Sequence, residues 1–389
     1  MDVQSLPSFF SMYQQLIAIP SISATDPKWD TSNKKVIDLL AEWLELLGFE
    51  CEINELKSQQ GKYNLLARRG TGTGGLLLSG HTDTVPYDAS RWNFDPFKLT
   101  EQDNRWYGLG SIDMKGFFAF VMQALSELDT HQQTKPIMVL ATADEETTMN
   151  GAREVSRFAN LHPDYCVIGE PTDMRPVYAH KGHMSEVIRI TGRSGHSSDP
   201  ALGINAIELM NEVISSLMKL KEKFKHKYSN SSFTVPQPTM NFGHIHGGDN
   251  ANRICGCCEL HLDVRPLPGL SVDELYTHLH KATEGIQKRY PGSVELISLH
   301  HPVPAFEQAP DSALVQLAEK VSQSQAQAVN YCTEAPFLQE LGCETLVMGP
   351  GSIKQAHQPD EYLLTETIEP TQEKLKKLLK SYCFPTSCR

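Results

Sequence analysis

The sequence carries a set of acids and imidazoles whose types suit a pair of divalent cations. They are His81 and Asp83 in HTDTVP, Asp113 in SIDMKG, Glu145 and Glu146 in DEET, Glu170 in IGEPT, and His357 in a loop near the C-terminus. Imidazole nitrogen and carboxylate oxygen are the usual donors to zinc-like ions, and two ions a few ångströms apart commonly share one carboxylate. Taken singly, each residue has a plainer explanation. Asp113 could cap a helix, which is the commoner use of Asp at such a place. Glu145 and Glu146 could be an exposed acidic turn, and His357 a surface imidazole. Convergence lifts the set above these readings: all but Asp113 and His357 stand at the ends of apolar, strand-like runs. No H-E-x-x-H, P-loop or G-x-S-x-G pattern competes.

Those runs are LLLSG before His81, IMVLATAD before Glu145, YCVIG before Glu170 and TLVMG before a GPGS loop. Continuous apolar strands alternating with helices indicate a parallel sheet covered on both faces. GFFAFVMQALSELD, after Asp113, supplies a crossover helix. In such sheets ligands gather outside the carboxyl ends of the strands. Upstream, MDVQSLPSFFSMYQQLIAIPS reads as an amphipathic helix, and it lacks the basic and apolar regions of a signal peptide. TSNKKVIDLLAEWLELLG reads as a second helix, stopped by Gly48, and CEINEL and YNLLARR as short strands. Gly70–Gly75 matches G-x-G-x-x-G formally. Another strand follows it rather than a helix, so a glycine-rich hairpin is expected, not a dinucleotide site.

From about Gly182 the pattern changes to strand, helix, two strands, helix, strand. This βαββαβ series is expected to form a ferredoxin-like α+β insertion at residues 182–301, inside an α/β domain made of 1–181 and 302–389. A helix, ALVQLAEKVSQSQ, resumes the first domain. CGCC, with Cys255, Cys257 and Cys258, lies in an alternating run and reads as strand filling rather than a metal cluster.

The chain has 389 residues, 40% hydrophobic and 21% charged, which is ordinary for a soluble two-domain protein. A net charge of −12 argues against nucleic acid and anionic membrane as partners and is compatible with a cationic substrate. No apolar run is long enough to span a bilayer. Nine cysteines without a small-domain framework point to reduced thiols in a cytoplasm.

HTDTVP, GLGSIDMKGFFA, ADEET, GEPT and AHQPDEYL together resemble the M20 family of metallopeptidases and deacylases, from about residue 10 to the C-terminus. The resemblance implies a zinc-peptidase-like catalytic domain with an inserted dimerisation or lid domain, and two divalent metals per subunit, Zn²⁺ first and Co²⁺ next. It implies His81 and Glu170 as terminal ligands of different ions, Asp113 as the bridge, and Glu146 with His357 completing the second site. Asp83 would hold the His81 tautomer and Glu145 would be the general base. It also implies a cis peptide at Asp113–Met114. His196, in RSGHSSDP, would donate to the oxyanion, often across a dimer interface. Asn252 and Arg265, in GGDNANRI and DVRPLPG, would suit a free α-carboxylate, although a turn Asn and a surface Arg remain open readings.

Within the family, YCTEAPF and GPGSIKQAHQPDEYL resemble the branch that deacetylates N2-acetyl-L-ornithine in arginine biosynthesis. Gly351 and Ser352 would then belong to the substrate site, and Glu334 would receive the substrate's amino group, directly or through water. A desuccinylase or dipeptidase is the rival activity. It would want further basic residues, and only Lys354 is at hand. A non-catalytic binding protein on the same fold ranks lower, since every ligand-type residue and Glu145 is kept. A homodimer acting on a small N-acetylated amino acid is the expectation.

Overall fold

The computed structural model describes residues 5–384 and divides into two compact units, 1–178 with 308–327 and 333–389, and 179–307 with 328–332. The division assigns 179–181, 302–307 and 328–332, which the sequence pattern gave to the larger unit, to the smaller one.

The larger unit is built on the four apolar runs. Leu76–His81, Ile137–Thr142, Tyr165–Pro171 and Glu344–Gly349 are mutually parallel, in the lateral order Ile137–Thr142, Leu76–His81, Tyr165–Pro171, Glu344–Gly349. Every residue of the first two is buried, which is why they read as unbroken apolar runs rather than alternating ones. The crossover helix Lys115–Ser126 is buried along most of its length, with Phe117, Phe118, Phe120 and Val121 fully inaccessible. The N-terminal helix Phe9–Ala18 buries Met12, Tyr13, Leu16 and Ile17. Its Ser8 cap accepts from the Ser11 N–H.

The glycine-rich segment departs from expectation. Tyr63–Arg69 and Leu76–His81 do not pair with each other. Ile137–Thr142 lies between them, antiparallel to the first and parallel to the second. Gly70–Gly75 is therefore a crossing turn, not a hairpin. Gly75 has φ +88°, and a Cβ there would lie 1.9 Å from the Pro136 carbonyl oxygen. The turn needs glycine because the chain entering the inserted strand passes against it. Four elements had no clear sequence signal: the helix Ile368–Cys383, and the strands Thr100–Gln102, Arg105–Tyr107 and Tyr362–Leu364 of a small antiparallel sheet. The Asp113–Met114 peptide is cis.

The smaller unit follows the βαββαβ series. Met184–Thr191, Thr239–Gly247, Cys257–Arg265 and Val294–Ser298 form one antiparallel sheet, in the order Val294–Ser298, Met184–Thr191, Cys257–Arg265, Thr239–Gly247. That is the 4-1-3-2 order of a ferredoxin-like sheet. Helices Ala206–Lys227 and Val272–Arg289 share its apolar core through Leu209, Val213, Leu217, Leu275, Leu279 and Ile286. Cys255 and Cys258 are buried in that core while Cys257 is exposed. No group of metal-ligating residues among the described residues includes a cysteine. The second strand of the series starts only at Thr239, since the two prolines in VPQP keep the preceding residues out of the ladder. No helix among the described residues is long and apolar enough to cross a membrane.

Candidate metal centre

Three neighbouring parallel strands end together, and the side chains beyond their ends meet. His81 is the last residue of its strand and is fully buried. Its Nε2 lies 3.2 Å from Asp113 Oδ1, 3.8 Å from Glu170 Oε1 and 4.0 Å from Glu145 Oε2. On the other side of Asp113, His357 Nε2 lies 3.4 Å from Oδ2 and 3.0 Å from Glu146 Oε2. The two oxygens of one carboxylate thus face two different imidazoles. Two overlapping donor groups share Asp113, His81–Asp113–Glu170 and Asp113–Glu146–His357, and a third, His81–Glu145–Glu146, draws on both adjacent glutamates.

Asp83 meets the His81 ring through its main chain as well as its carboxylate. His81 Nδ1 is 3.0 Å from the Asp83 main-chain carbonyl and 3.6 Å from Oδ1. The carbonyl is the nearer acceptor and fixes the proton on Nδ1, leaving Nε2 free to bind a cation. The Asp83 carboxylate also accepts the main-chain N–H groups of Glu145 (3.2 Å) and Glu146 (3.1 Å). Asp144, in the left-handed region at φ +63°, begins this turn and is tied by the hydroxyls of Ser23, Thr147 and Thr148. From this turn Glu145 reaches His81 and Glu146 reaches His357, while oxygens of both carboxylates stay within 4.8 Å of a His81 ring nitrogen.

The electrostatics of the cluster fit a cationic occupant. Burial raises Glu145 and Glu170 well above the usual carboxylate range; His81 opposes the rise and the neighbouring acids add to it. Burial and Asp113 raise Glu146 likewise. For His81, burial opposes the charged ring, but Asp113, Glu170, Glu145 and Asp83 outweigh it and the ring is raised. Hydrogen bonds to Asp113 and Glu146 raise His357. Asp113 is held below its ordinary value because the two imidazoles outweigh its burial. Among the described residues no lysine or arginine forms an ion pair with these carboxylates. Crowded, buried acids without a fixed cation are costly unless a metal supplies the charge. The donor set of carboxylates and imidazoles therefore fits divalent metals.

The remaining expected residues divide between the two units. In the larger unit, Gly351 and Ser352 follow the strand Glu344–Gly349. Gly351 has φ +78° and its carbonyl accepts from the Asp173 N–H at 2.6 Å, while Ser352 pairs with Thr172. Glu334 is fully buried at the start of the short helix Ala335–Gln339. Its Oε2 accepts from the Thr142 hydroxyl at 2.9 Å, and Oε1 has no hydrogen-bond partner. Burial pushes it up to about 7. It has no exposed atom, and its charge acts on Glu145 and Glu170.

In the smaller unit, His196 and Asn252 line one open cleft with Ser194, Gly195 and Arg253. The His196 ring accepts from the Ser198 N–H at 3.2 Å, and the Ser197 N–H donates to the Asn252 carbonyl at 3.0 Å. Arg265 is not in that cleft. Its guanidinium fork is engaged by Asp263 at 2.9 and 3.0 Å. Sequence reasoning paired Asn252 with Arg265; the structure pairs Asn252 with His196.

Sequence reasoning passed over Glu361. It is fully buried, and its carboxylate binds the main chain of the Asp113 loop. The available signal was an acid four residues after His357 in HQPDE, which composition alone reads as a solvated turn.

The sequence profile described as peptidase family M20/M25/M40 matches residues 77–381. The chain belongs to this family. It is 56% identical to the acetylornithine deacetylase of Vibrio atlanticus (strain LGP32), over 97% of this chain and 100% of the relative. It is also 56% identical to the acetylornithine deacetylase of Proteus mirabilis (strain HI4320), over 97% and 98%. Among solved structures it resembles a tripeptidase from Staphylococcus aureus, with TM-score 0.75, 20% identity and coverage of 96% of this chain and 97% of that one. An M20 family metallo-carboxypeptidase from Sulfolobus solfataricus gives TM-score 0.74 and 20% identity over 96% and 99%. At such identities these neighbours establish the fold alone.

Proposed function

We propose that this protein hydrolyses N2-acetyl-L-ornithine to L-ornithine and acetate, as a two-metal amidohydrolase of arginine biosynthesis. One observation carries the reaction type: Asp113 turns its two oxygens to two imidazoles, each completed by a further glutamate. The substrate is supported by full-length identity with relatives that bear the deacetylase name.

His81, Asp113 and Glu170 would hold one cation, and Asp113, Glu146 and His357 the other, with Zn²⁺ the first candidate and Co²⁺ the next. When bound, such a pair polarises the amide carbonyl and lowers the pKa of a water. Glu145 takes the proton from the attacking water and passes it to the departing amine nitrogen. Asp83 keeps Glu145 and Glu146 on separate tasks by holding both main-chain N–H groups. His196 is assigned to donate to the oxyanion, and Asn252 and Arg265 to hold the free α-carboxylate, with the Arg265 fork exchanging Asp263 for substrate. Gly351 and Ser352 border the acyl group. Glu334 acts at a remove, as a buried negative charge that favours a cationic substrate side chain. The working form is a homodimer paired through the smaller unit, in a reducing cytoplasm that suits the free cysteines.

The test is amine release by metal-replete protein from N2-acetyl-L-ornithine, N-succinyl-diaminopimelate and a dipeptide, side by side. Turnover of acetylornithine with kcat/KM at least tenfold above the others is expected. Preferential turnover of the succinyl substrate or the dipeptide overturns the substrate assignment, and no turnover of any overturns the reaction.

A further inference from the structure

Glu361 is the best-ligated buried carboxylate outside the cluster of ligand-type residues. Its Oε2 accepts from the Gly110 N–H at 3.0 Å, and Oε1 from the N–H groups of Ile112 (2.8 Å) and Asp113 (3.1 Å). The Ser111 hydroxyl approaches at 3.4 Å, and the Glu361 carbonyl accepts from the Gly108 N–H at 3.0 Å. One residue thus gathers the N–H groups of the loop that delivers Asp113, much as a bound anion is cradled in a main-chain nest. Among the described residues no lysine forms an ion pair with it, although its charge acts on Lys115. The nearby Lys115 is buried and spends its ammonium on the Ile19 carbonyl at 2.7 Å. The loop has little freedom to adopt another shape. Gly110 has φ +82°, and a Cβ there would stand 2.7 Å from Lys115 Cε. Tyr13 closes the far side by donating to the Ser111 carbonyl.

The segment His357–Glu361 therefore meets Asp113 twice. His357 faces its Oδ2, and Glu361 holds its main-chain N–H. Asp360, between them, caps a different place, the N–H groups of Asn93 and Phe94. We propose that Glu361 is a positioning residue for the metal centre: it fixes the main chain of residues 110–113 so that the two oxygens of Asp113 address both imidazoles at once. It touches neither cation nor substrate and acts through Asp113. The proposal rests on the two-metal reading given above.

Glutamine at 361 keeps the shape but turns an NH₂ toward main-chain donors, so at least one buried N–H loses its acceptor. In the full-length protein, Glu361→Gln should weaken calorimetric binding of Co²⁺ to chelator-treated protein by about 10–100-fold, the usual scale for a group that orients a ligand. The visible spectrum of the cobalt-loaded protein should change, and kcat should fall while the acetylornithine KM holds within about threefold. Glu361→Asp, which keeps the charge, should recover part of the affinity, and it carries the same test if the glutamine variant does not fold. Asp360→Asn should bind Co²⁺ as the wild type does. Wild-type affinity and spectrum in Glu361→Gln, whatever its thermal stability, overturn the proposal. A wild-type protein that binds fewer than two Co²⁺ overturns the two-metal reading itself, so the two failures are told apart.

Discussion

Replacing Glu145 by glutamine separates proton transfer from metal holding. The substitution keeps side-chain volume, and the turn survives because the Asp83 carboxylate binds the main-chain N–H of residue 145, not its side chain. Glu145 stands 4.0 Å from His81 Nε2, whereas Glu146 and Glu170 complete the two donor groups built on Asp113. Losing its carboxylate should therefore leave two cations bound. A positioned proton carrier contributes about 10²–10⁴-fold, so kcat should fall by that factor, or roughly 3–5 kcal/mol of barrier. Removing one acid from a buried, repelling group should also raise the melting temperature of the metal-free protein, since burial, Glu170 and Glu146 disfavour the Glu145 charge. The assay is steady-state amine release together with metal stoichiometry by elemental analysis and melting of chelator-treated protein. Loss of a bound metal, or a kcat within tenfold of wild type, would refute the division of labour between the adjacent glutamates.

Three further expectations follow from the same geometry. Asp83→Asn should leave one buried N–H of residues 145–146 facing another donor, destabilising the protein by roughly 1–3 kcal/mol in a denaturant melt and lowering kcat; unchanged stability would count against the clamp. The metal-free protein should lose stability as pH rises from about 4.5 to about 7. Glu334 and Glu361 are each pushed up to about 7 by burial, and Glu145, Glu146 and Glu170 are raised too. In that window the folded chain holds protons that the unfolded chain has released, so stability falls with rising pH. His180, lowered to about 4 by burial, and His300, also lowered by burial, work the other way but are two groups against five. Melting temperatures across this range should slope down for metal-free protein and flatten on adding Zn²⁺; a rising slope refutes the account. Finally, Glu334→Gln should narrow the kcat/KM preference for acetylornithine over N-acetyl derivatives of neutral amino acids, and an unchanged ratio removes Glu334 from substrate selection.

Residue types and apolar runs were enough to read the parallel sheet and the ferredoxin-like insertion, because burial on both faces writes itself as continuous hydrophobicity and half-burial as alternation. Ligand-type residues at strand ends were legible for the same reason: a polar group closing an apolar run stands where the sheet stops. Lateral order was not legible. Nothing in Gly70–Gly75 tells that Ile137–Thr142 inserts between the strands on either side, because pairing partners are chosen by the whole sheet. The same holds for Asn252, which meets His196 through a loop contact and not through the strand that carries Arg265.

By itself, then, the sequence determined which chemistry is available here: carboxylates and imidazoles in number, a proton carrier beside a ligand, and a sheet edge to hold them. The tertiary structure decided the assignments that depend on direction. The main-chain carbonyl of Asp83 is the nearer acceptor for His81 Nδ1, and its carboxylate clamps the turn of the two glutamates. Glu361, an acid in a polar run, became the anchor of Asp113. A side chain's type fixes what it can donate or accept. Which partner it meets is set by segments far apart in the chain, and only folding brings His81 to 3.2 Å and His357 to 3.4 Å from the two oxygens of Asp113.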